Sequence, residues 1–175
     1  MNAPHFFVTD FDIEPSQGKS TLDFWQSDWD DSLVEQKFTR EQGRQVYRFV
    51  AMKNDGAHSK VIEILGKHTL ADFDDMMRTA FDLDFSDHLS EFTRVFDRGR
   101  GKKSRKQEYG EINPFEPTPA MQLRLAGLGL EPGAKFNYVY DFGDWLVHKL
   151  VLESIGPTER GLDYLRVLEQ EKHDG

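Results

Sequence analysis

The sequence predicts an α+β fold: a single domain with an antiparallel-rich sheet of about five strands and two or three helices packed on it. Three observations predict it. Short β-rich runs are separated by tight-turn signals, as where residues 46–52 and 61–65 flank Asn54, Asp55 and Gly56. One strongly periodic helical stretch, with its own start signal at Thr69, follows that hairpin. The β-rich runs then return as a second hairpin around Asp141, Phe142, Gly143 and Asp144, without the successive βαβ units of a parallel sheet.

In chain order, residues 1–43 read as an acidic N-terminal extension. Residues 6–8 read as a short strand that Pro15 and Gly18 break off. Leu22, Trp25, Trp29 and Leu33 then recur at spacings of three and four among many aspartates, the pattern of an acidic amphipathic helix. The core domain spans residues 44–156. After the first hairpin, Thr69 caps a helix with Asp72 three residues on, and Leu70, Phe73, Met77 and Ala80 or Phe81 form its buried stripe. Asp72, Asp74 and Asp75 sit in its first turns, where the helix dipole favours negative charge. Residues 92–96 read as a third strand and residues 98–117 as a polar loop. Thr118 and Pro119 open a short helix over 120–126, which Gly127 and Gly129 end. Residues 136–140 and 146–152 make the second hairpin. Residues 157–175 form a C-terminal tail with one further candidate strand at 164–168.

Composition narrows the function classes. The chain has 175 residues, no cysteine and a formal net charge of −9. Disulfides, thiolate metal sites and a cysteine nucleophile are therefore excluded. No window holds the ~20 apolar residues of a membrane span, and the first residues lack the basic head and apolar run of a secretion signal. The expectation is a cytoplasmic protein with no membrane partner. An acidic body repels a polyanion at long range, so nucleic-acid binding is confined to one place. That place is a basic loop over residues 98–106, where Arg98, Arg100, Lys102, Lys103, Arg105 and Lys106 are candidate phosphate contacts. Its glycines also fit a solvated connection.

The second hairpin carries a resemblance. Tyr138, Tyr140, Asp141, Phe142, Gly143 and Asp144, then His148, Leu150, Leu152 and Glu153, are similar to the signature Y-x-Y-D-F-G-D-x-W-x-H-x-I-x-L-E of the plasmid pRiA-type ORF-three-like family, within the MM-type ORF-three-like superfamily. The run from Thr69 to Phe73 resembles that family's T-L-A-D-L helix start, and the run from Ser86 to Phe92 its S-H-L-H-E-F. The resemblance covers about residues 45–156. It departs in three places: residues 57–61 lack the tryptophan and paired arginines of a P-x-W-R-R strand, Trp145 stands one position early, and a C-P-P-E-D segment is missing. The resemblance implies an α+β domain with an open antiparallel-rich sheet. It implies no established activity, although some relatives belong to plasmids or mobile elements.

The same segments hold the residues that could carry chemistry. His88, Glu91, Tyr138, Asp141, Asp144 and His148 form a candidate cleft at one mouth of the sheet. Gly143 suits a tight reversal there, and Asp141 and Asp144 are placed to accept hydrogen bonds from the turn. His148 shares strand parity with Leu146, Leu150 and Leu152, the position of a core histidine. Two imidazoles and a carboxylate are also the donor types of a divalent-metal site, but no spacing here is diagnostic. The D-F-G triplet lacks the other kinase motifs, Asp10 and Asp12 lack the βαβ context of a phosphatase, and residues 82–93 lack the glycine and glutamate of a calcium loop. No catalytic, cofactor-binding or metal residue is assigned, and no cofactor is implied. The leading expectation is a non-enzymatic binding or interaction domain with a protein partner. The alternatives are a metal-dependent hydrolase or nuclease using the His and Asp residues of the hairpin, and a nucleic-acid accessory protein acting through residues 98–106.

Overall fold

The computed structural model describes residues 37–85 and 88–169. The expected strand at 6–8 and the tryptophan helix of residues 22–33 lie outside the described residues. Helix α1 (Arg40–Arg44) opens with a reciprocal cap: Thr39 Oγ1 accepts from Gln42 N, and Gln42 Oε1 accepts from Thr39 N. Strands β1 (Val46–Lys53) and β2 (Ser59–Leu65) make the first hairpin. Helix α2 (Leu70–Phe81) follows, then β3 (Ser90–Phe96) and β4 (Arg105–Ile112). Two 3-10 turns (Pro119–Gln122 and Leu125–Leu128) lead into β5 (Lys135–Tyr140), β6 (Leu146–Gly156) and β7 (Arg166–Glu169).

The strands form one sheet in the order β4-β3-β5-β6-β1-β2-β7, and every neighbouring pair is antiparallel. The antiparallel α+β reading therefore holds, with seven described strands rather than about five. The main addition is β4, which falls in the segment read as a loop. Among the described residues it is an edge strand with one neighbour, β3, and most of its side chains face water. Only Tyr109 and Ile112 are buried, which leaves no apolar alternation to detect. The expected strand at 164–168 sits slightly later, because Leu165 adopts a left-handed φ of 74° and donates to Glu63 O before pairing with β2 begins.

The expected short helix at 120–126 is instead two 3-10 turns broken at Leu123 and Arg124. Both residues are extended there because their backbone is engaged elsewhere: Leu70 N donates to Leu123 O, and Leu125 N donates to His68 O. A helix would have to forfeit these bonds to continue.

Helix α2 covers one face of the sheet. Its start is the predicted one, with Thr69 Oγ1 accepting from Asp72 N and Asp72 Oδ2 accepting from Thr69 N. Leu70, Phe73, Met77 and Phe81 bury themselves against Phe49, Ile62, Ile64, Phe92, Tyr138 and Leu152. Phe73 lies at the centre, 4.7 Å from the Phe92 ring in a stacked pair and 4.7 Å from the Phe49 ring. On the opposite face, Glu63 accepts from both Arg48 and Arg166, and Arg48 also reaches Glu153, so one ionic ladder crosses β6, β1, β2 and β7.

The approach of α1 to the β2–α2 connection requires glycine at 66. A Cβ there would stand 2.3 Å from Gln42 O and 2.9 Å from the Tyr47 ring, and Gly66 N and O are both already bonded, to Gln45 O and Ala126 N. Gly66→Ala is expected to lower the unfolding free energy by about 1–3 kcal/mol through this clash with fixed backbone. Urea denaturation with an unchanged m value checks it.

Candidate functional site

The β5–β6 turn is built on Asp141. Its backbone is left-handed (φ 59°), and its N–H donates to Leu89 O at 2.9 Å, joining the turn to the chain just before β3. Its Oδ1 accepts from Gly143 N at 2.9 Å and Asp144 N at 3.3 Å, the side-chain turn expected of aspartate. Its Oδ2 lies 3.2 Å from His88 Nδ1. Asp144 contributes its N–H; no hydrogen bond accepted by its carboxylate occurs among the described residues. The second left-handed residue is Trp145 (φ 55°), whose N–H donates to Asp141 O at 2.6 Å. Reversal of the chain therefore rests on Asp141 and Trp145. Gly143 is not left-handed, and a Cβ on it would meet only Asp141 Oδ1, at 3.1 Å.

The six expected cleft residues divide into three groups. His88, Asp141 and Asp144 meet at the turn, with the His88 ring edge-on to Tyr140 at 5.2 Å. Tyr138 and His148 pair across β5 and β6 on the face that α2 covers; both are buried there, and His148 also lines a cavity on the other side of the turn. Glu91 pairs with Val139, one residue out of phase with the Ser90–Tyr140 and Phe92–Tyr138 pairs, which sets its side chain on the opposite face of the sheet. There burial, with Glu108 and Glu111 nearby, raises its pKa. Of the expected convergence of His88, Glu91, Asp141, Asp144 and His148, strand parity removes Glu91, and enclosure by the Phe81 and Tyr138 rings sets His148 apart. Among the described residues no three His, Asp or Glu side chains gather to hold a metal ion. Ser86 and Asp87, part of the second sequence signature, lie outside the described residues.

Behind the turn is a polar cluster that sequence reasoning missed. Asp74 and Arg78, one helical turn apart on α2, form a buried ion pair at 2.9 Å. Asp74 Oδ1 accepts from Ser90 Oγ at 2.5 Å and Tyr138 Oη at 2.6 Å. Arg78 donates to Asp84 O and His88 O, each at 2.8 Å, and its guanidinium lies 5.1 Å from the Tyr140 ring centre. Burial first, and then the Asp74 charge, push the Tyr138 hydroxyl well above the usual phenol range, so Tyr138 remains a donor. Asp74 had been accounted for by the helix dipole. Its physical role is instead to balance a buried cation.

On the other side of the turn lies a cavity of about 280 Å³, lined by Lys53, Asn54, Asp55, Leu83, Trp145, Leu146, Val147 and His148. Trp145 is 55% exposed and Leu146 44% exposed. His148 is buried between the rings of Phe81 and Tyr138, and its Nδ1 has no hydrogen-bond partner among the described residues. Burial lowers its pKa, and the Lys53 ammonium adds to the effect, so the imidazole is neutral at pH 7. Lys53 and Leu83 carry no signal of a site in the sequence, and Leu146 reads there only as a neighbour of His148 in strand parity. The available signal was Trp145, an aromatic residue in a turn where polar residues or glycine are the rule.

The basic segment lies at the far end of the sheet, in the β3–β4 hairpin, with all six cations exposed.

Comparison with known proteins agrees with this fold. No curated protein matches the chain. The crystal structure of a protein of unknown function, MM3350, from Methanosarcina mazei Go1 is similar, with a TM-score of 0.53 and 22% identity over 70% of this chain and 67% of that one. Likeness at that identity shows the fold alone. No described helix is long and apolar enough to cross a membrane. The family described as plasmid pRiA4b ORF-3-like protein, whose function is unknown, matches residues 52–174. That span holds α2, most of the first hairpin and all of the second, and it makes this chain a member of the plasmid pRiA4b ORF-3-like family.

Proposed function

We propose that this chain is a non-enzymatic binding module, and that the cavity beside the β5–β6 turn receives one apolar side chain of a protein partner. Trp145 carries the reading. A bulky aromatic residue held left-handed costs on the order of 1–3 kcal/mol, and such strain collects at functional positions. Here the strained side chain is more than half exposed and lines a cavity with Leu83, Leu146 and Val147. Folding alone would favour glycine at that position.

A metal-dependent hydrolase or nuclease draws less support. His88, Asp141 and Asp144 are near one another, but Glu91 is on the other face and His148 is enclosed by aromatic rings.

Two-dimensional NMR with N-acetyl-leucinamide tests the proposal. A probe of this size binds with a dissociation constant on the order of millimolar. Signals of residues 53–55, 83 and 145–148 are expected to shift, with N-acetyl-serinamide leaving them in place. Trp145→Gly is expected to weaken the response roughly tenfold while keeping the unfolding free energy within ~1 kcal/mol of the parent or raising it, because glycine accepts the left-handed backbone. Shifts scattered over the surface, or an undiminished response in Trp145→Gly, would defeat the reading.

A further inference from the structure

The β3–β4 hairpin tip holds a second, independent feature. Arg98, Arg100, Lys102 and Lys103 occupy the loop between the strands, and Arg105 and Lys106 begin β4, opposite Phe96 and Val95. All six are exposed on a chain whose net charge is −9. Among the described residues, Arg98, Arg100, Lys102, Lys103 and Lys106 form no ion pair. The nearest acid in sequence, Asp97, is taken by Lys135 at 2.5 Å. Arg105 lies 4.9 Å from the Phe96 ring centre, with Arg94 over the same ring at 4.5 Å.

Edge-strand protection explains cations within β4, since charged edge residues deter pairing with other chains. It does not explain four more in the loop. Solubility does not explain them either, because cations bring this acidic chain closer to neutrality. Concentrating like charges without acids destabilises the tip by self-repulsion, and an external anion removes that repulsion.

We infer that the β3–β4 tip is a binding site for the phosphodiester backbone of a nucleic acid, read without regard to base sequence. Guanidinium groups bind phosphate oxygens in a two-pronged geometry, and lysines add point charge. Gly99 and Gly101, both left-handed (φ 93° and 79°), alternate with the arginines and let the loop bend along a phosphate chain. β4 runs from Arg105 and Lys106 to Glu108 and Glu111, so attraction gives way to repulsion within one strand. That reversal limits contact to a few phosphates and favours a single strand over a duplex laid across the sheet. An anionic lipid surface offers the same charge, but residues 98–106 contain no apolar side chain to insert as a second anchor.

Fluorescence anisotropy of the full chain with a labelled 20-nucleotide single strand of mixed sequence tests the site. With about five phosphates engaged, log affinity is expected to fall with log salt at a slope of about −3.5, or roughly a hundredfold between 50 and 200 mM salt. The variant R98Q/R100Q/K102Q/K103Q is expected to flatten the slope by about 3 with a thermal midpoint no lower than the parent's, since all four residues are exposed and their mutual repulsion is removed. Trp145→Gly is expected to bind the strand like the parent. Absence of binding at 50 mM salt, a slope the four substitutions leave intact, or tighter binding to phosphatidylserine vesicles than to the strand would overturn the inference.

Discussion

Asp74→Ala is expected to destabilise the protein by about 3–5 kcal/mol, the usual consequence of removing one partner of a buried ion pair. Three groups lose their acceptor at once: Arg78 Nε, Ser90 Oγ and Tyr138 Oη. Arg78, 2% exposed, has no route to water that keeps its bonds to Asp84 O and His88 O. For a chain of this size the thermal midpoint should fall on the order of 10 °C. The double variant Asp74→Leu/Arg78→Met separates charge from packing, because it removes both ions and keeps the volume. It is expected to recover more than half of the loss, as apolar replacements of buried pairs commonly do. A single-variant loss below about 1 kcal/mol, measured by urea denaturation, would show that the cluster is solvated rather than buried.

Phe73→Ala should cost a similar amount, about 3–5 kcal/mol, by a different mechanism. Phe73 is fully buried, and truncation opens a cavity between α2 and the sheet. Its stacked contact with Phe92 and tilted contact with Phe49 add to simple burial, since such ring pairs are worth ~0.5–1.5 kcal/mol beyond area. Phe73→Leu keeps most of the volume and should lose less than half as much. Equal losses for Ala and Leu would mean that ring stacking, rather than filled space, holds the helix down.

The hairpins and α2 were legible because each combines a period with a stop signal. Thr69 and Asp72 cap the helix as expected, and Asn54, Asp55 and Gly56 turn the first hairpin where expected. β4 was illegible for a physical reason: an edge strand needs only one hydrogen-bonding neighbour and can keep polar side chains, so Arg105 to Ile112 carries no β pattern. The ion pair does leave a trace in the sequence. Asp74 is four residues from Leu70 and from Arg78, and Arg78 is three from Phe81, which places both charges along the flank of the apolar stripe. A charge there must be paired, and the signal is masked by Asp72 and Asp75, for which the helix dipole is explanation enough. The turn was located correctly from Asp141 to Asp144, but its left-handed residues were not identifiable from glycine content. Asp141 and Trp145 take that conformation, and Gly143 does not.

The grip of Arg78 on two carbonyl oxygens, Asp84 O and His88 O, has a dynamic consequence. A surface connection ordinarily breathes by itself, opening with far less free energy than the whole domain. Asp84 and His88 are instead both moored to a side chain inside the core, so lifting either residue away from α2 means pulling on a buried guanidinium that is held by its counter-ion.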